Sequence, residues 1–154
     1  MTRAAILLCV LAFAACGAPR GPAPRPPATS ISAERPLAEL PPQDLGQGQC
    51  GMALWQRTEP ARRIAYILDE PPSARVVDSG DVIALARTSS EGDAIARHAP
   101  LQRFAGAGRS LVIEVRIEQR EGLLSGAIIP EGTLTWQSAS GSVVVPVFGL
   151  IGCR

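Results

Sequence analysis

The chain has 154 residues, enough for one ordinary domain with appendages, and its 46% hydrophobic against 19% charged composition excludes a mostly disordered protein. No apolar run reaches the roughly 18 residues that would cross a bilayer as a helix. All 15 basic residues are arginine, 14 acidic residues cancel them to a formal charge of +1, and so balanced a chain has no electrostatic hold on nucleic acid.

Residues 1–15 have the three parts of an export signal: a positive start at Arg3, an apolar stretch from Ala4 to Ala15 and small residues at its end. Phe13-Ala14-Ala15-Cys16 resembles the lipobox of bacterial lipoproteins, although Phe13 stands where that family usually has leucine or another aliphatic residue. The resemblance implies cleavage before Cys16, acylation of that cysteine and a permanent membrane tether, since two or three acyl chains hold far more firmly than one. Gly17, rather than aspartate, is what the lipoprotein family associates with transfer to the outer membrane. The same stretch read as Ala12-Phe13-Ala14 fits an ordinary signal peptidase site, whose cleavage would release a soluble periplasmic protein.

Residues 16–42 then carry Cys16 and a linker holding Pro19, Pro22, Pro24, Pro26, Pro27, Pro36, Pro41 and Pro42. Such a segment buries too little apolar surface to offset its ordering entropy. Extended as polyproline II it reaches roughly 80 Å from the lipid.

Residues 43–154 change character and read as an all-β domain, a small antiparallel barrel or sandwich of seven or eight short strands. Runs at Met52–Arg57, Arg63–Leu68, Ser73–Asp78 and Asp81–Arg87 are strand-like, the last with a helical turn as its alternative; Glu91–His98 also has helical character. The clearest strand spans Arg109 to Gln119, where Leu111, Ile113, Val115 and Ile117 alternate with polar residues. Glu121-Gly122 and Pro130-Glu131-Gly132 read as turns, and Thr133–Gln137 with Ser142–Phe148 as a hairpin through Ser138-Ala139-Ser140-Gly141. Pro146 inside the latter run predicts an edge strand or a bulge.

Of the four cysteines, Cys9 leaves with the signal and Cys16 is the lipidation site. That leaves Cys50 and Cys153 at the two ends of an exported domain, where a single disulfide is expected.

The chemistry that remains is sparse. His98, the one histidine, lies beside Arg97 and near Pro100 and reads as a surface residue; with no lysine in the chain, a serine nucleophile has few bases to choose from. Asp69, Glu70, Asp78 and Asp81 flank turns and read as solvated charges, without a metal-ligand spacing. The expectation is therefore a non-enzymatic protein with no metal and no cofactor. Trp55 and Trp136 are candidates for core packing or for contacts with a partner.

Cys50-Gly51-Met52-Ala53-Leu54-Trp55, the Pro130–Leu134 segment and the closing Pro146–Cys153 run resemble a group of uncharacterised short lipoproteins from alphaproteobacteria, a likeness that implies no activity. In plan alone, the chain is also similar to the membrane-bound inhibitors of c-type lysozyme. Ser138-Ala139-Ser140-Gly141 is similar to that family's inhibitory serine loop, but it comes late in the chain and no lysine follows it. The functional expectation is a tethered, periplasm-facing envelope lipoprotein that binds an envelope protein or cell-wall component, with inhibition of lysozyme or another wall hydrolase as the alternative.

Overall fold

The computed structural model describes residues 37–123 and 125–154. The expected signal, Cys16 and the linker as far as residue 36 lie outside them. The described residues form nine strands: β1 (Leu37–Ala38), β2 (Cys50–Gln56), β3 (Arg63–Leu68), β4 (Ser73–Asp78), β5 (Asp81–Glu91), β6 (Leu101–Gly106), β7 (Arg109–Glu118), β8 (Gly126–Ser138) and β9 (Gly141–Cys153). Each strand from β2 to β9 pairs antiparallel with the next, and β9 returns to pair with β2. The result is a closed eight-stranded up-and-down barrel. The two-residue β1 adds to β4 opposite Val77 and Asp78, beyond the stretch of β4 that pairs with β3.

Turn chemistry explains the sequential meander. Ser79 and Gly80 between β4 and β5, and Ala107 and Gly108 between β6 and β7, all have positive φ, the backbone that a two-residue type I′ hairpin requires and that matches strand twist. Between β8 and β9 the expected hairpin forms, with Ser138 paired to Gly141.

The barrel is filled by side chains, as eight strands leave an interior only about wide enough for that. Trp136, Phe104, Leu111, Ile113, Leu134, Met52 and Leu54 are all within 1% of complete burial. In β7 the expected alternation holds, with Leu111, Ile113 and Val115 inside. Strands β2 to β4 show near-continuous burial instead, because both of their faces are covered. Met52 and Leu54 face Ile67 and Ala65 in the interior; on the outer face Ala53, Tyr66, Leu68 and Val77 form a second cluster, overlaid by Leu40 and Leu45.

That overlay moves the domain boundary. Leu37 and Leu40 are buried, and the Leu40 N–H donates to the Arg63 carbonyl at 2.7 Å. The domain therefore includes residues from at least Leu37, not from residue 43, because Leu37 pairs with β4 and joins the main core while Leu40 covers the apolar outer face of β2 to β4.

Asp81–Arg87 is strand, as expected, and belongs to the eleven-residue β5. Three local expectations are corrected. Glu91–His98 is not helical: after Glu91 the chain turns through residues 92–100, with Ala96 and Arg97 at positive φ. Pro130-Glu131-Gly132 is not a turn between strands but a bulge inside β8, where the pairing with β9 shifts between Ile129 and Gly132. Pro146 lies within the thirteen-residue β9, which has neighbours on both sides. It is tolerated because the Pro146 carbonyl accepts the last β2-side hydrogen bond, from Arg57 N–H at 2.9 Å, and its own missing N–H falls where β2 ends.

Candidate functional site

Two regions carry the polar and aromatic residues of interest. The first is the barrel end where β2 begins and β9 finishes. Cys50 and Cys153 face each other directly across the β2–β9 pair, with Cα atoms 4.1 Å apart, and are joined by the expected disulfide. The bond therefore staples the seam that closes the barrel.

Around it the buried Asp69 carboxylate accepts the Cys50 N–H at 2.8 Å and the Arg97 guanidinium at 3.0 Å, while Arg97 also donates to the Gly48 carbonyl at 2.8 Å. Burial alone would raise the Asp69 pKa; the hydrogen bonds from Cys50 and Arg97 outweigh it and hold the carboxyl below its ordinary value. Asp78, also buried, is held by Arg109 at 2.8 Å. The reading of these two aspartates as solvated turn charges is thus corrected: each anchors a strand end to an arginine from a distant segment.

His98 is likewise not a surface residue. It is 0% exposed, with Nε2 3.3 Å from the Cys50 carbonyl and Nδ1 without a protein partner among the described residues. Burial lowers its pKa to about 4, against the raising influence of the Cys50 carbonyl and Asp69. The left-handed backbone at Ala96 and Arg97 turns the loop inward, so a residue in a polar stretch of sequence ends up in the barrel mouth. Sequence polarity does not encode that fold-back. Neutral and fixed, His98 serves packing and loop attachment.

The second region is the outer face of β9. Val143, Val145 and Val147 point toward the core, and the opposite parity is apolar as well: Val144 and Leu150 are 45% and 49% exposed, Pro146 is exposed and Phe148 half-buried. Phe148 lies opposite Trp55 of β2, their rings stacked with centroids 6.1 Å apart, and Leu150 lies opposite Ile128 of β8. Beside Phe148 an open groove of about 720 Å³ is lined by Arg57, Glu59, Arg120, Ile128 and Pro130 among others.

Backbone irregularity makes this groove. Pro130 and Glu131 together oppose the single residue Phe148, and the β2–β3 register also shifts between Leu54 and Trp55. Gly149 keeps β9 against β2 there, since a Cβ at this position would clash with the Ala53 carbonyl oxygen. Bulges of this kind are over-represented beside binding sites.

The two tryptophans thus separate. Trp136 is a core residue at 0% exposure and offers no surface to a partner; Trp55 is half-buried on the outer face, beside the groove. Trp136→Ala is expected to cost ~3–5 kcal/mol of stability, and Trp55→Ala about 1 kcal/mol or less, as for most surface changes. Denaturant titration of both variants checks this, and equal losses would contradict the assignment.

Phe148, Ile128, Arg57 and Arg120 were not candidates from sequence. The available signal was β9 itself, which is apolar on both parities from Val143 to Ile151 although one parity faces outward. The class that these observations define is a closed, disulfide-stapled up-and-down β-barrel with an aromatic outer face. No family model matches the chain, and no curated protein or solved structure shows significant similarity to it.

Proposed function

We propose that this protein is a membrane-tethered, non-enzymatic envelope lipoprotein, anchored through Cys16 to the periplasmic leaflet of the outer membrane, that binds a periplasmic protein or cell-wall component. The observation that carries the binding part is the exposed apolar face of Val144, Pro146, Phe148 and Leu150 with Trp55 beside it. Aromatic residues and arginine, both present here, are the types that dominate binding energy at interfaces. The tether rests on the lipobox-like Phe13–Cys16 and the proline-rich stretch after it. Absence of enzymatic activity is read from the missing lysine and from the engagement of His98 and Asp69 in structural contacts.

Cell fractionation tests the tether: Cys16→Ser is expected to move the protein from the membrane to the soluble periplasmic fraction, and a variant that stays in the membrane with unchanged mobility would contradict it. For the alternative, potent inhibition of c-type lysozyme by the pure domain would redirect the reading to a wall-hydrolase inhibitor. Turnover of a wall substrate, abolished by a single carboxylate substitution, would replace both with an enzyme.

A further inference from the structure

We infer that the groove beside Phe148 binds a peptide end: a free α-carboxylate held by Arg57 and Arg120, with the apolar last side chain on Ile128, Pro130 and Phe148. This rests on the binding reading above and gives it a ligand chemistry.

The groove's lining is mixed, with Ile128, Ile129, Pro130 and Phe148 as its apolar part, and its volume of about 720 Å³ suits a few peptide residues. On its rim stand two exposed arginines, and among the described residues neither Arg57 nor Arg120 makes an ion pair; the other rim charge, Glu59, makes none either. Arg57 is positioned by donating through one Nη to the carbonyl of Pro130, in the β8 bulge, so its guanidinium is tied to the groove wall while, among the described residues, its other N–H groups have no side-chain or backbone acceptor. A planar guanidinium binds carboxylate as a two-pronged fork, and fixing it beforehand reduces the ordering cost of binding. Glu59 supplies an acceptor for a backbone N–H one residue back from the terminus.

Shape and chemistry favour this ligand over others of the same charge. A planar bilayer surface cannot follow a concave groove set between a bulge and the end of β2. Inorganic phosphate would engage the arginines but leave Ile128, Pro130 and Phe148 unused, whereas a terminal residue with an aliphatic side chain uses both. Trp55 stacks on Phe148 and so reports occupancy through its fluorescence.

The test uses the full-length chain with Cys16→Ser, so that no acyl group contributes. Acetyl-Ala-Ala-Leu as the free acid, the same peptide as its C-terminal amide, inorganic phosphate and anionic vesicles are each titrated by calorimetry and by tryptophan fluorescence. The free acid is expected to bind at least tenfold more tightly than the amide. Arg120→Gln and Arg57→Gln should each weaken the acid at least fivefold while leaving the thermal midpoint within a few degrees.

Equal affinity for acid and amide, no binding of the acid up to millimolar concentration, or binding to phosphate or vesicles as tight as to the acid would each overturn the proposal. Photocrosslinking from Phe148 in cells separates its failure from that of the broader reading. Crosslinks without peptide binding refute only the carboxylate site, and absence of both refutes the binding face as well.

Discussion

Reduction of the Cys50–Cys153 bond, or its replacement by a pair of serines, is expected to lower the thermal midpoint of the domain by about 20 °C. The two cysteines are separated by 103 positions, and a closed loop of that length is worth ~4.7 kcal/mol in the chain-entropy model. At a domain of this size 1 kcal/mol corresponds to about 4 °C. The bond joins the first and last strands of the barrel, so its loss acts on closure itself. Seven residue pairs from Cys50–Cys153 to Gln56–Val147 keep the seam hydrogen-bonded, so the reduced chain still folds at moderate temperature. Scanning calorimetry with and without reductant measures the effect; a shift under about 3 °C would mean that the seam is held by its backbone pairing alone.

Acid is expected to destabilise the domain unusually early, from about pH 6.5 downward, through His98. Its folded pKa is depressed by burial to about 4 against an ordinary 6.5, so between these values the unfolded chain binds a proton that the folded chain does not. Stability is then full above pH 6.5 and falls by ~3 kcal/mol as the pH drops to about 4, at 1.36 kcal/mol per pKa unit. The charged groups that act on the ring are Asp69 at the end of β3, which favours its protonation, and Arg87 of β5, which opposes it. Below that window Asp69 continues the trend: its carboxyl pKa is lowered in the fold, so stability present above its ordinary value is lost as the pH falls further. Urea titrations from pH 7.5 to 4 should show this slope in the wild type and a much flatter one in His98→Gln, where the amide can still donate to the Cys50 carbonyl. An unchanged slope in that variant would assign the acid sensitivity to other groups.

The parts of this structure that were legible in sequence are those set by local chemistry. Period-two alternation identified β7, the Ser138–Gly141 turn identified a hairpin, and the end-to-end placement of Cys50 and Cys153 identified the staple. What was illegible depends on partners distant in the chain. Pro130 and Gly132 have turn chemistry, yet long pairings with β7 and β9 on either side of them turn the same residues into a bulge. His98 looked exposed because its neighbours are polar, while its burial comes from a strained loop attached to Asp69 and Gly48. Leu37 and Leu40 sit among prolines and read as linker, because their partners are distant in the chain: Leu37 packs with the main core and Leu40 on the outer face built by β2 to β4. The groove followed the same rule: Arg57 and Arg120 come to line one groove with Ile128 and Phe148 only once the barrel has closed.

The central claim, that the β9 outer face is where this protein meets its partner, is tested most directly by site-specific photocrosslinking in intact cells. A photoreactive residue is placed at Phe148 in one strain and, as a control, at Val82 in another, since Val82 is 54% exposed on β5, away from this face. The account predicts a discrete crosslinked species from position 148 that is absent from position 82 and lost when Trp55→Ala is added. Equal crosslinking from the two positions, or a discrete product from Val82 alone, would contradict it.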